Sequence, residues 1–178
     1  MLADPNTILE SFDLDILDLS EIGTIFAEHT KNGDLVLLSG KVGAGKTEFA
    51  RQIIKAKAIK ENLDIEEISS PTFSLIQTYD FKCCKISHID LYRVNSEEEL
   101  FELGIPDIFD NQITLLEWPE ILEIKNFSRN IKLEIKETKE TRVIKIKFFG
   151  NGWSDLIVSL LGSGHFSDEK IQNLKTWT

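Results

Sequence analysis

The chain has 178 residues, 42% of them hydrophobic and 28% charged, proportions that exclude a disordered, collagen-like or coiled-coil chain. A chain of this length forms one domain with a real core. Its 30 acidic residues outnumber 20 basic ones, giving a net charge of -10, a sign that repels a phosphate backbone and argues against direct nucleic-acid binding by the isolated chain.

No apolar run approaches the length of a bilayer span, and residues 1–10 lack both a basic n-region and an apolar h-region. The expectation is a cytoplasmic protein with no membrane contact. The only cysteines, Cys83 and Cys84, are neighbours; a bridge between adjacent residues is strained, which leaves reduced structural thiols as the better reading. Charge is unevenly spread. Residues 125–150 hold eight basic and three acidic side chains, net +5, and read as a solvated sheet face, with a docking patch as the alternative.

In chain order, Ser20 is the predicted N-cap of a helix carrying Ile22, Ile25, Phe26 and His29 at helical spacing, stopped by Asn32 and Gly33. Residues 34–39 include the continuous apolar run from Leu35 to Leu38, expected of a strand buried on both faces. A glycine-rich turn follows, then a helix over residues 46–59 with Phe49, Ala50, Ile53 and Ile54 inward. Residues 65–69 read as a strand closed by Ser70 and Pro71, because proline drives its predecessor out of helical space. Residues 73–79 and 85–90 read as two more strands around a turn at 80–84.

Ser96 with Glu99 forms a capping box for a short acidic helix, which Gly104 and Pro106 are expected to stop. Residues 113–117 form an apolar strand closed by Trp118 and Pro119. Ile131, Leu133 and Ile135, then Ile144, Ile146 and Phe148, alternate with charged residues around a turn at 138–141. That is an antiparallel hairpin with one wet face. Residues 153–161 suit a terminal helix. The expected fold is therefore α/β, a mixed central sheet flanked by helices with a C-terminal hairpin and helix, and the turn Gly40-Lys41-Val42-Gly43-Ala44-Gly45-Lys46-Thr47 between a buried strand and a helix makes it one of the P-loop NTPase kind. Residues 1–161 form the single domain, and residues 162–178 a tail that is a short amphipathic helix or disordered.

Gly40, Lys41, Val42, Gly43, Ala44, Gly45, Lys46 and Thr47 match G-x-x-x-x-G-K-S/T directly after a buried strand and directly before a helix, the context this phosphate-binding loop requires. Glycines let successive backbone N–H groups converge on a polyphosphate, and the helix start adds its positive end. Lys46 supplies a charge for the β and γ phosphates, and Thr47 a hydroxyl for Mg²⁺, which prefers hard oxygen ligands. Asp90 and Glu117 each end an apolar strand, where open α/β sheets place their ligands. Asp90 suits the metal and Glu117 suits orienting or deprotonating a water; on spacing alone the roles exchange freely, and either acid also serves as a plain turn cap.

Neither N-K-x-D nor D-x-x-G occurs in the sequence, so ATP is expected over GTP. A small-molecule kinase, which needs several lid arginines, is the alternative; the chain has only Arg51, Arg93, Arg129 and Arg142. Beyond the loop, four motifs in order resemble the TsaE family of tRNA threonylcarbamoyladenosine biosynthesis proteins. They are Gly43 to Thr47, then Ser70-Pro71-Thr72-Phe73, then His88-Ile89-Asp90-Leu91-Tyr92-Arg93, then Glu117-Trp118-Pro119-Glu120.

The resemblance implies an ATPase docked on a TsaB–TsaD pair, reaching tRNA only through that complex, with hydrolysis resetting the assembly between cycles. It implies that Lys46 and Thr47 hold phosphate and Mg²⁺, and that Asp90 is the Walker B-like acid. Glu117 and Trp118 belong to a catalytic or nucleotide-sensing motif, Glu117 also standing as a metal candidate. Ser70 and Thr72 lie on a loop that senses the γ phosphate. One departure is Lys41-Val42, where the family usually has an acid followed by leucine. A nucleotide-gated binding module with incidental hydrolysis remains a second alternative.

Overall fold

Residues 8–11, 14–65, 67–122, 129–138 and 141–166 are described in a computed structural model of the chain. The strands are β1 (Ile8–Glu10), β2 (Leu35–Ser39), β3 (Ile76–Asp80), β4 (Lys85–Asp90), β5 (Ile113–Glu117), β6 (Asn130–Glu137) and β7 (Arg142–Phe149). They form a seven-stranded mixed sheet in the order β1-β7-β6-β2-β5-β4-β3. The central four, β6, β2, β5 and β4, run parallel. The antiparallel β7 and β1 extend one edge, and β3 closes the other.

Period-two alternation sorts the side chains of these strands into two cores. Helices α1 (Ile16–His29), α2 (Lys46–Lys60) and α5 (Ser154–Gly162) cover the larger core, against Val36 and Leu38 of β2. The shorter α3 (Glu97–Glu102) and α4 (Ile105–Asn111) cover the smaller one, against Leu35 and Leu37. Because β2 is apolar on both faces it sits at the centre, as its unbroken run predicts. The β6–β7 hairpin also follows its pattern: Ile131, Leu133, Ile135, Ile144, Ile146 and Phe148 are buried, whereas Lys132, Glu134, Lys145 and Lys147 are partly exposed.

Three sequence expectations need correction, and one strand appears that the sequence does not signal. α1 starts at Ile16, not after Ser20: the Asp15 carboxylate accepts from the N–H groups of Leu17 and Asp18, and the Asp18 carboxylate accepts from the Asp15 N–H. This reciprocal box outcompetes the serine, and Ser20 instead donates its hydroxyl to Gln52. Of the strand expected over 65–69, the described residues 65 and 67–69 form no strand, because β3 occupies the sheet edge beside β4. Pro106 opens α4 within its first turn, where its missing N–H has no cost, and Gly104 turns the chain at φ 67°. The three-residue β1, too short to show a period, pairs with β7.

α5 extends to Gly162, and beyond it Phe166 is buried and bridges to Ser11. The helix expected over 168–177 lies outside the described residues. No helix among the described residues is long and apolar enough to cross a membrane.

Both thiols are free, Cys83 exposed and Cys84 buried, and burial pushes the Cys84 thiol up to about 11. At pH 8 an aromatic disulfide reagent should titrate one thiol rapidly in the native protein and two in denaturant. Two fast thiols in the native state would contradict this packing.

Candidate functional site

The parallel pairing of β2, β5 and β4 brings their carboxyl ends to one edge of the sheet, with Leu38 beside Glu117 and Glu117 beside Asp90 in the register. Alternation then decides where the acids point. Ile86, His88 and Asp90 share a face of β4, and Ile113, Leu115 and Glu117 share the same face of β5; the isoleucines and Leu115 belong to the larger core. All three polar side chains therefore point toward the start of α2.

Between β2 and α2 the chain turns through Gly40 (φ 143°), Gly43 (φ 82°) and Gly45 (φ 107°), conformations that L side chains rarely adopt. At Gly40 the need is also spatial, since a Cβ there would run into the Ile135 carbonyl of β6. Gly45 caps α2 without a side-chain hydrogen bond, so the first N–H groups of a 15-residue helix face the loop with no side chain satisfying them. Arg142 of β7 braces the loop from outside, its Nε donating to the Ala44 carbonyl at 3.2 Å.

Lys46 is only 4% exposed. Its ammonium donates to the carbonyls of Gly40 at 2.7 Å and Lys41 at 2.9 Å and lies 3.8 Å from the centroid of the Trp118 ring. Burial lowers its pKa from the usual lysine value, and the nearby carboxylates of Glu117, Asp90 and Glu120 oppose that shift. Trp118 holds this position from a left-handed backbone, φ 59° and ψ 57°, and packs against Tyr92 with ring centroids 5.0 Å apart.

Two hydrogen-bonded chains converge here. In one, Thr47 Oγ1 donates to Glu117 Oε2 at 3.0 Å, and His88 Nε2 lies 2.8 Å from Glu117 Oε1. A carboxylate oxygen only accepts, so in this hydrogen bond Nε2 carries the proton and donates it to Glu117; Nδ1 is buried and has no partner among the described residues. In the other, Thr72 Oγ1 donates to Asp90 Oδ2 at 2.8 Å, Ser70 Oγ lies 2.8 Å from Thr72 Oγ1, and the Tyr92 N–H donates to Asp90 Oδ1 at 2.9 Å. A cleft of about 910 Å³ is lined by Ser39, Gly40, Lys41, Val42 and Ala44 of the loop region, by Trp118 and Glu120, and by Lys132 and residues 134–137 of β6.

The structure gathers Lys46, Thr47, Ser70, Thr72, Asp90, Glu117 and Trp118 around the loop. It joins Thr47 to Glu117 and gives Asp90 to the Ser70–Thr72 loop. Val42 is exposed on the outside of the turn. The structure adds His88, present in the sequence motif without a role, and Arg142 to the site. His88 carried a legible signal, standing two positions before Asp90 on one strand. Arg142 carried none, being 98 positions from Ala44.

Among the described residues no cluster of three or more His, Cys, Asp and Glu side chains forms a metal cage. Thr47, Asp90 and Glu117 nevertheless offer hard oxygens, a donor set that fits Mg²⁺, an ion that keeps waters and takes phosphate oxygens as further ligands.

A buried parallel strand, a glycine loop and an uncapped helix, with acids on two adjacent strands, define a P-loop α/β protein. The crystal structure of Bacillus subtilis YdiB shares the fold, with a TM-score of 0.69 at 22% identity over 91% of this chain and 99% of that one. Residues 15–144 match the family described as "Threonylcarbamoyl adenosine biosynthesis protein TsaE", and the chain belongs to that family.

Proteins named tRNA threonylcarbamoyladenosine biosynthesis protein TsaE are similar to it in several bacteria. The Rickettsia felis protein is 36% identical over 150 residues, covering 84% of this chain and 85% of that one. The Bacillus subtilis protein is 32% identical over 142 residues, covering 78% and 85%. With the Rickettsia typhi protein identity is 43% over 99 residues, 56% of this chain, and the match spans 66% of the relative's length.

Two substitutions test the geometry. Gly40→Ala should lower unfolding free energy by about 2 kcal/mol or more, from backbone strain together with the Ile135 contact; an unchanged urea midpoint would refute it. His88→Leu leaves a buried carboxylate short of a donor and should cost about 3–5 kcal/mol, with His88→Gln recovering most of the loss in the same measurement.

Proposed function

We propose that the chain is a Mg²⁺-dependent ATPase that acts with TsaB and TsaD in forming threonylcarbamoyladenosine at position 37 of tRNA, hydrolysis resetting the assembly between cycles. The observation that carries this reading is the meeting of Thr47, Glu117 and His88 at the uncapped start of α2. Contact with tRNA runs through the assembly, in keeping with the chain's net charge of -10.

In this reading the backbone N–H groups of residues 43–47 hold the polyphosphate. Lys46 leaves the carbonyls of Gly40 and Lys41 for the β and γ phosphates; a unit charge pair at about 4 Å and an effective dielectric near 20 is worth roughly 4 kcal/mol before desolvation. The cleft beside Trp118 takes the nucleoside. Glu117, held on one oxygen by Thr47 and on the other by His88, is fixed in orientation to position or deprotonate the attacking water. Asp90, Thr47 and Glu117 would hold Mg²⁺, which when bound offsets charge developing on the phosphate oxygens. Ser70 and Thr72 sense the γ phosphate through Asp90.

The arginines support hydrolysis over phosphoryl transfer to a small molecule. Arg51 pairs with Glu48, Arg129 with Asp34, and Arg142 holds the Ala44 carbonyl, which leaves Arg93 alone for a lid. A nucleotide-gated binding module is the second reading, favoured by the Thr72–Asp90 hydrogen bond that ties the 70–75 loop to the nucleotide edge.

ATP turnover by the purified chain should be slow alone and at least tenfold faster with TsaB and TsaD; an unchanged rate would remove the partner dependence. Lys46→Ala should abolish turnover with the fold intact by circular dichroism, and normal hydrolysis by that variant would refute the site. If the module reading is right, Glu117→Gln will support docking and repeated modification cycles; under the ATPase reading it stops after one.

A further inference from the structure

Phe73 is 85% exposed, although it directly follows Thr72, whose hydroxyl is bonded to Asp90. The loop holds the ring outward by a tight turn in which the Leu75 N–H donates to the Pro71 carbonyl at 2.7 Å and Leu75 adopts φ 62°. The Arg93 guanidinium lies 4.7 Å from the Phe73 centroid. Arg93 is exposed and forms no ion pair or side-chain hydrogen bond among the described residues. Beside it, Tyr92 is also exposed and packs on Trp118, which covers Lys46.

We propose that Phe73, Arg93 and Tyr92 form a docking surface for a partner protein that presents an apolar pocket edged by a carboxylate. Aromatic residues and arginine are the types that anchor protein interfaces, and Phe73 offers a rigid ring on a fixed turn. Arg93 supplies the charge complementarity, an unpaired cation on a strongly acidic chain. A nucleic-acid strand would also stack on an aromatic ring and pair with arginine, but α3, which begins four residues after Arg93, exposes Glu98, Glu99 and Glu102 and repels phosphates.

The surface is joined to the nucleotide edge twice, through Thr72 and Asp90 and through Tyr92, Trp118 and Lys46. On the ATP-binding reading of that edge, docking and nucleotide occupancy are linked, each altering the affinity for the other.

The test is calorimetric titration of the full chain into the purified TsaB–TsaD pair with Mg²⁺ and a slowly hydrolysed ATP analogue, with the analogue's own affinity measured for every variant. Phe73→Ala and Arg93→Glu should each weaken docking at least tenfold while analogue affinity changes less than twofold, and Phe73→Leu should stay within threefold of the parent chain. Undiminished docking by both variants overturns the proposal. So does a parent chain that binds the analogue but not the pair, or a single-stranded RNA or second copy of the chain whose binding is lost on Phe73→Ala. Failure of the nucleotide reading is seen separately, as a chain that docks in a Phe73-dependent way yet gives no heat with the analogue.

Discussion

The parallel pairing of β5 with its neighbours β2 and β4 is the constraint on which the rest of this molecule depends. Parallel strands end at the same edge, so the glycine loop leaving β2, Glu117 at the end of β5 and Asp90 at the end of β4 must lie side by side. Alternation along β4 and β5 turns both acids and His88 toward α2. A slip of one residue of β4 against β5 would send His88 and Asp90 to the opposite face, into the smaller core beneath α3 and α4 and away from Glu117.

That convergence carries a cost. Lys46, His88, Asp90 and Glu117 all have less than a tenth of their surface exposed, and charges so placed need partners to offset lost hydration. The fold supplies them locally: carbonyls of the loop and the Trp118 face for Lys46, Thr47 and His88 for Glu117, Thr72 and the Tyr92 amide for Asp90. Asp90 and Glu117 are thereby held in orientation by their neighbours, whereas Lys46 must exchange its loop carbonyls for any anion it takes. The same side chains hold the edge together and give it its chemistry.

Much of this was legible because the signals were local. The apolar run of β2, the alternation of β6 and β7 and the spacing of the glycines each fix an element from a few neighbouring residues. Asp90 and Glu117 could be found because each ends a short apolar strand. Expectations failed where competition decided. Ser20 loses to an acidic box five residues upstream, and residues 67–69 have strand-like composition but no free edge to join. Pro106 was read as a stop where it is a start, since proline serves both ends of a helix and only the positive φ of Gly104 distinguishes them. His88 needed the sheet register to become more than a core histidine, and Arg142 needed the folded hairpin.

The brace from Arg142 to the Ala44 carbonyl, with Ile135 crowding Gly40, means that the glycine loop is shaped by chain that lies far downstream of it. During synthesis the Gly40 to Thr47 segment emerges well before the hairpin that moulds it. Residues contacting across 98 positions must close a long loop before they reward each other, so the nascent chain carries the motif without its cradle. A product terminated ahead of β6 would retain every residue of the consensus and still lack the surface against which that consensus takes its form.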